Sequence, residues 1–466
     1  MSISITIDPN MKLGKIKALN GGCLAPPISS ENAGLDIRKE FAALHLPITR
    51  LHDAPLDNRG LNLVDVPMIF PLFHADANDP RNYNFRATDD YIANCIACGT
   101  KVYYRLGVSI DHSYNKYVIE PPQDVAHWID IVSHIIRHYN EGWADGFHYN
   151  IEYWEIWNEA EGISSQNQRL RTMWNAPVET YYDFYLQVSK ELKSRFPHLK
   201  IGGPSNCQWT KRDDREYGKE FIDYCAEHNA PLDFYGFHAY ANDPDWINQL
   251  LTEVRSYLDS RNFTDTEVHL TEWAYMPHNG FRRMREDKSL AADIYARMKG
   301  LDAAAFIAYS LCSWQDLPVD MAHYYTVSTM GFGLFHPFSY LPAKAYYGLK
   351  AFGVLMHSFP HRIDIAVDGL DSEGLASESG NNEFGFNALS GCDDQGNIGV
   401  LVSNYRYGGQ SITFRLKSAA SFRNAKVFML DHEHDLTPIL TIDHPGGDIT
   451  VTSVSESSVL LLELEK

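Results

Sequence analysis

The sequence predicts a (β/α)8 barrel followed by a smaller β-sandwich, an α/β fold class with a β accessory domain. Three observations carry that expectation. Between residues 14 and 356, eight short strand-like runs alternate with helical stretches, as a ring of parallel strands with crossover helices requires. Two of those runs, 151–159 (I-E-Y-W-E-I-W-N-E) and 267–272 (E-V-H-L-T-E), stay largely apolar until they end on a glutamate. Barrel enzymes place their chemistry at such strand ends. From residue 357 to 466 the texture changes to short β-like runs separated by Gly, Asn, Asp and Ser, the spacing of a sandwich.

The elements follow in order. Residues 2–7 alternate like a strand and are broken by Asp8-Pro9-Asn10, so segment 1–8 is expected to join the sandwich. The eight barrel strands are expected at 16–21, 48–53, 101–107, 151–157, 200–203, 233–240, 268–272 and 305–314. Between them, 123–139 shows the clearest helical spacing, in Val125, Trp128, Ile129, Val132, Ile135 and Ile136. The helix over 177–196 is closed by Pro197, and 341–356 is the expected closing helix. Residues 54–84 form a long connection rich in Pro, Asp and Asn, and its apolar V-P-M-I-F-P-L-F is expected to pack as a wall of the cleft.

Composition narrows the classes of function. Sixty acidic residues against forty basic ones leave a formal charge of −20, so nucleic acid and anionic membrane surfaces are poor partners. The sequence lacks the ~18 uninterrupted apolar residues of a membrane helix. The first residues, M-S-I-S-I-T-I-D-P-N, have neither the basic region nor the apolar core of a signal peptide. Seven scattered cysteines read as reduced thiols, and together these features predict a cytoplasmic protein. Cys95 and Cys98 have metal or redox spacing but no second pair, so they are expected in a helix as core residues. The twenty histidines show no H-E-x-x-H spacing, and no G-x-S-x-G elbow supports a serine triad. No metal and no cofactor is expected, and the sequence leaves the oligomeric state open.

Two strand-end carboxylates facing one another suit glycoside hydrolysis, which needs a proton donor for the leaving oxygen and a carboxylate beneath the anomeric carbon. Glu159 suits the donor, desolvated by Trp154, Trp157 and the barrel wall. Asn158 is placed to donate to a sugar hydroxyl. Glu272 suits the nucleophile, with Arg50 and Tyr240 as the donors that keep it ionised. Trp209, Trp246, Trp273, Tyr324 and Tyr325 are candidate sugar platforms, and Trp273 and Tyr324 are preferred because they lie beside expected strand ends.

R-L-H-D at 50–53, E-I-W-N-E at 155–159, F-H-A-Y at 237–240, L-T-E-W at 270–273 and C-S-W-Q-D at 312–316 resemble the clan A glycoside hydrolases. Within that clan they look most like family 39, which includes β-xylosidases and α-L-iduronidases. The resemblance covers the barrel and extends to the sandwich. It implies Glu159 as acid/base and Glu272 as nucleophile, with retention of configuration. It also implies that His52, Asp53, Asn158, His238, Tyr240 and Trp314 line the sugar subsite. Two positions depart from the family pattern. Ala160-Glu161 stands where the family often has Pro after the acid/base, and the acidic sugar contact beyond Trp314 must come from Asp316 or Asp320. The expected partner is an oligosaccharide or glycoside, with exo action on short chains. β-Xyloside is the first expectation, followed by α-L-arabinofuranoside, β-glucoside and β-galactoside. A non-catalytic carbohydrate-binding barrel would lack one carboxylate, and a transglycosylase would share every residue named.

Overall fold

The protein is described from a computed structural model over residues 2–24, 36–53, 62–110, 116, 118–162, 172–207, 209–211, 214–329, 331–337, 339–370, 383–417 and 422–466. An N-terminal strand, β1 (Ser2–Lys15), precedes the barrel. The barrel strands are β2 (Gly21–Cys23), β3 (Ile48–Leu51), β4 (Lys101–Leu106), β5 (Tyr153–Ile156), β6 (Lys200–Asn206), β7 (Phe234–Ala241), β8 (Glu267–Tyr275) and β9 (Met321–Tyr324). They close in sequence order, all parallel, with β9 pairing back onto β2 through Gly22 and Tyr324.

Two barrel strands differ from the sequence expectation. The first is Gly21–Cys23 rather than 16–21. A Cβ on Gly21 would lie 2.7 Å from the Ala322 carbonyl oxygen, so the strand is built of residues that carry no apolar signal. The eighth is Met321–Tyr324, and residues 305–314 belong instead to the helix Leu301–Ser313 and the 3-10 turn that follows it. That helix is buried on nearly all sides, between the barrel and the second sheet. A helix buried all round reads as an unbroken apolar run, which periodicity does not distinguish from a core strand. The Cys95/Cys98 pair lies in the helix Arg86–Ala97 and its cap, with Cys95 in the core and both thiols free.

The second sheet contains β10 (His361–Asp368), β11 (Gly385–Cys392), β12 (Ile398–Tyr405), β13 (Gln410–Leu416), β14 (Asn424–Leu430), β15 (Asp435–Asp443), β16 (Ile449–Val454) and β17 (Ser458–Glu465). Its order is β15-β14-β17-β12-β11-β10-β1-β13-β16. Ile3, Ile5 and Ile7 share a core with Ile412 and Phe414 on one side and with Val427 and Leu460 on the other. The sheet therefore folds over itself as a sandwich. Strand β1 runs antiparallel to β10 and parallel to β13, and the turn expected at Asp8-Pro9-Asn10 is a register shift after which pairing resumes.

Inside the barrel, side chains stack in layers. Ile48, Tyr103, Tyr153 and Phe234 form an apolar plug at the N-terminal ends of their strands. One step higher the inward positions turn polar, with Arg50, Glu155 and Ser205 fully buried. This polar layer is the floor of the mouth.

Candidate active site

Arg50 organises the mouth. It projects inward from β3, wholly buried, and donates from Nε and Nη2 to Glu155 Oε2 at 2.8 and 2.6 Å. The same guanidinium reaches Glu272 Oε1 from Nη1 at 2.9 Å and Asn158 Oδ1 from Nη2 at 2.7 Å. Glu155 also accepts from the Ser205 hydroxyl. Burial works against the Arg50 charge, but Glu155 and Glu272 outweigh it and push its pKa well up, so the cation is permanent. A buried charge triad of this kind is costly to break from one side, about 3–5 kcal/mol.

Glu272 sits at the C-terminal half of β8, just past a register shift against β7 that brings it opposite His238. Its second oxygen accepts from the Tyr240 hydroxyl at 2.5 Å. Burial raises its pKa, opposed by His238 and Arg50 and reinforced by the charges of Glu159 and Asp53. Both oxygens therefore face donors, the arrangement that suits the ionised form.

Glu159 lies just beyond β5, where the chain turns through Trp157 and Glu159 with φ of 70° and 45°. Such left-handed positions cost a non-glycine residue about 1–2 kcal/mol. The Glu159 amide is anchored on the Ser205 carbonyl at 3.0 Å, and its Oε1 lies 2.7 Å from His238 Nδ1. Its side chain is 18% exposed, against 6% for Glu272. Burial pulls the His238 pKa down to about 4, so the imidazole is neutral near pH 7. Glu159, His238 and Glu272 each offer an atom within 4.8 Å of the others. Because Arg50 and Tyr240 already donate to both oxygens of Glu272, the cluster is arranged for acid–base and nucleophilic chemistry.

The rim follows from the same logic. Arg105 Nε donates to His52 Nδ1 at 3.0 Å, which leaves the His52 proton on Nε2, facing Asp53 Oδ1 at 3.1 Å and Glu272 Oε1 at 3.7 Å. Asp53 further accepts from the Ile110 amide and from the Tyr325 hydroxyl, both at 2.8 Å. Asn158 spends Oδ1 on Arg50, so its Nδ2 is the group left for a ligand. Within residues 66–73, Val66, Ile69 and Phe70 are buried and Val66 N–H donates to the Gly107 carbonyl at 3.0 Å, so the segment packs on the barrel, while Met68 and Leu72 are exposed. Beside Tyr240 a cavity of about 400 Å³ continues the mouth, lined by Trp246, Phe281, Arg282 and Arg285 among others.

Arg50, His52, Asp53, Asn158, Glu159, His238, Tyr240 and Glu272 thus converge on one mouth. Five other expected residues do not. Trp273 points out of the barrel, fully buried against Trp314 at 4.6 Å and Tyr324 at 5.2 Å. Trp314 follows the helix Leu301–Ser313 and donates Nε1 to Asn248 at 3.1 Å. Tyr324 packs in the same outer layer. Asp316 forms a bidentate pair with Arg362 of β10, at 2.6 and 2.7 Å, and Asp320 instead accepts from the Val268 amide at 2.8 Å. Placing the eighth strand at 305–314 shifted Trp314, Tyr324 and the two aspartates, whereas Trp273 faces outward by alternation beside inward Glu272. Nor do Trp154 and Trp157 desolvate Glu159: they lie outside the barrel, Trp154 against Tyr104 and Trp157 against Trp174 and Phe184. One site residue was not singled out, Glu155, and Tyr325 was named as a sugar platform but passed over for Tyr324. The alternation of β5 puts Glu155 on the same face as inward Tyr153, and correct placement of β9 puts Tyr325, not Tyr324, at the mouth.

A closed barrel with paired carboxylates at the ends of its fourth and seventh strands defines a glycoside hydrolase, and the comparisons with known proteins give its family. The family described as "Glycosyl hydrolases family 39" matches residues 60–330, and the chain belongs to that family. A β-xylosidase of Geobacillus stearothermophilus is 25% identical over 362 residues, covering 68% of this chain and 67% of that protein. The fold is similar to that of a glucosidase from Croceicoccus marinus, with TM-score 0.79, 21% identity, and 100% and 99% of the two chains covered. It is also similar to a family 51 α-L-arabinofuranosidase from Thermotoga petrophila RKU-1, with TM-score 0.66, 14% identity and complete coverage of both chains.

Proposed function

We propose that this O-glycosyl hydrolase is a retaining exo-glycosidase, with Glu272 as nucleophile and Glu159 as acid/base. The observation that carries the proposal is that the two carboxylates approach within 4.8 Å and that Glu272 is clamped by donors on both oxygens. Retaining enzymes hold their carboxyl groups about 5–5.5 Å apart, whereas inverting ones leave a wider gap of about 6.5–9.5 Å for water.

In the first step Glu272 attacks the anomeric carbon as Glu159 passes its proton to the departing oxygen, which gives a glycosyl ester and a free alcohol. In the second, Glu159 takes a proton from water, which attacks the same carbon and releases Glu272. Neutral His238 supports Glu159 in both protonation states, because its Nδ1 can donate to the carboxylate or accept from the acid. Asn158 Nδ2 and His52 Nε2 serve the sugar hydroxyls.

The substrate is a short oligosaccharide or glycoside, with β-xyloside favoured by the β-xylosidase relative, then α-L-arabinofuranoside, β-glucoside and β-galactoside. A cytoplasmic setting is supported by the absence of a disulfide among the seven cysteines. A panel of aryl glycosides of these four sugars tests the proposal, with NMR observation of the first-formed product. Turnover of at least one member, with the anomeric configuration kept, is expected. An inverted first product, or binding without turnover across the panel, would contradict it.

A further inference from the structure

Strand β6 supplies no side chain to the mechanism above, yet its Ser205 is bonded toward both carboxylates. Pro204 pairs with Gly236 and Asn206 with Phe237, so Ser205 is the extra residue of a β-bulge, wholly buried and with φ of 53°. Bulges beside active sites re-aim the residue they insert. Here the Ser205 hydroxyl donates to Glu155 Oε1 and lies 3.0 Å from the Thr271 hydroxyl, while the Ser205 carbonyl accepts from the Glu159 amide at 3.0 Å. Gly236 keeps the space for that hydroxyl, since a Cβ there would meet Ser205 Oγ at 2.9 Å. Apart from Ser205, Glu155 Oε1 faces the Tyr103 hydroxyl at the long distance of 3.5 Å. Oε2 of the same carboxylate holds Arg50, and Arg50 holds Glu272 Oε1 at 2.9 Å.

We propose that Ser205 is a positioning residue that ties both carboxylates to one bulge. Its hydroxyl steadies Glu272 through Glu155 and Arg50, and its carbonyl fixes the turn that carries Glu159. This inference rests on Glu272 being the nucleophile and Glu159 the acid/base. The charged and titratable groups that face Glu272 are Arg50, His52, Asp53, His238, Tyr240, Glu159 and the Cys23 thiol. The Ser205 hydroxyl bonds to none of them, so its reach runs through Glu155. Without that hydroxyl, the freed oxygen of Glu155 draws Arg50 toward itself, and Glu272 loses part of the cation that favours its ionised form. The carbonyl contact is backbone, so it survives loss of the side chain for as long as the bulge keeps its conformation.

Two variants separate the two contacts. Ser205→Ala removes the hydroxyl and keeps a Cβ to restrict the bulge. Its kcat/KM should fall roughly tenfold on a dinitrophenyl glycoside and on one whose phenol leaves poorly alike. The acid limb, which requires Glu272 ionised, should move up by roughly half a pH unit, while the alkaline limb, which requires Glu159 protonated, should stay in place. A residue with a merely structural role would move neither limb. Ser205→Gly removes the hydroxyl and also frees the bulge backbone, because glycine is not confined to this φ. It should repeat the acid-limb shift and lose roughly tenfold more on the poor leaving group alone, through a loosened Glu159. Each variant reads the acid limb independently, so one that fails to fold leaves the other to decide. In an E155Q background, adding Ser205→Ala should change kcat/KM less than about twofold, as expected of groups that act through one another. An acid limb that stays in place in the folded variants, or the full tenfold loss on top of E155Q, would overturn the proposal. Failure of the carboxylate assignment would look different: the wild type itself would give an inverted first product, or carry a fluorosugar label away from Glu272.

Discussion

Glu272 and Glu159 carry the same functional group within a few ångströms of each other, yet the fold treats them oppositely. Glu272 stands on a regular strand, buried, with an arginine and a tyrosine donating to it. Glu159 stands in a strained turn, three times as exposed, against a neutral imidazole. Under the proposed assignment, the difference lets one barrel mouth run a nucleophile and a proton shuttle from one residue type, with the charge environment, and not the side chain, setting the role. Glu155 is the hidden part of the contrast. It takes two of Arg50's donors, so Arg50 steadies Glu272 without forming an exclusive pair that would quench it.

The largest effect should come from removing the nucleophile. Glu272→Ala should lose on the order of 10⁵-fold in turnover on every glycoside, good leaving group or poor. A mechanism-based fluorosugar should label the wild type on the peptide carrying Glu272 and leave the variant unmarked. Appreciable activity of this variant on dinitrophenyl substrates would break the contrast.

Removing the shared cation comes next. Arg50→Met should strand two buried carboxylates and destabilise the fold by about 3–5 kcal/mol in urea titration. A variant of near wild-type stability would mean that Glu155 and Glu272 find other partners. Tyr240→Phe is milder: loss of one hydrogen bond to a charged group, about 1.5–3 kcal/mol, should lower kcat/KM some 10- to 100-fold. Without that donor the Glu272 pKa rises further, so the acid limb of the pH profile, which requires Glu272 ionised, should move to higher pH. An acid limb that stays in place or moves down would mean that the Tyr240 hydroxyl does not hold the Glu272 charge. Asp316→Ala should change least. Its pair with Arg362 is exposed on the aspartate side, so at most about 1 kcal/mol of stability is at stake. KM should not move, and a raised KM would return Asp316 to the sugar subsite.

Much of this was legible in the sequence because strand ends on β3, β5, β7 and β8 write their chemistry into short motifs. R-L-H-D, W-N-E, F-H-A-Y and L-T-E-W each deliver residues that meet at the mouth. Where the sequence misled, two physical causes recur. The glycine-built β2 carries no apolar pattern, because backbone crowding against Ala322 leaves no room for side chains. The helix Leu301–Ser313 is buried on nearly all sides, so its pattern mimics a core strand. That second error shifted the eighth strand and put Trp314, Asp316 and Tyr324 in a site that Tyr325 occupies. Glu155 was quoted within a motif but not weighed, since a glutamate inside a barrel looks costly until Arg50 is seen beside it.

Azide rescue tests the division of roles most directly. Glu159→Ala, given a dinitrophenyl glycoside, should form its glycosyl ester readily and then stall, because no base activates water. Added azide, which needs no base, should restore turnover and yield a glycosyl azide of the substrate's own anomeric configuration. Glu272→Ala treated the same way should give, at most, the azide of opposite configuration, formed by direct displacement. The reverse pattern, with the retained azide arising from Glu272→Ala, would contradict the assignment.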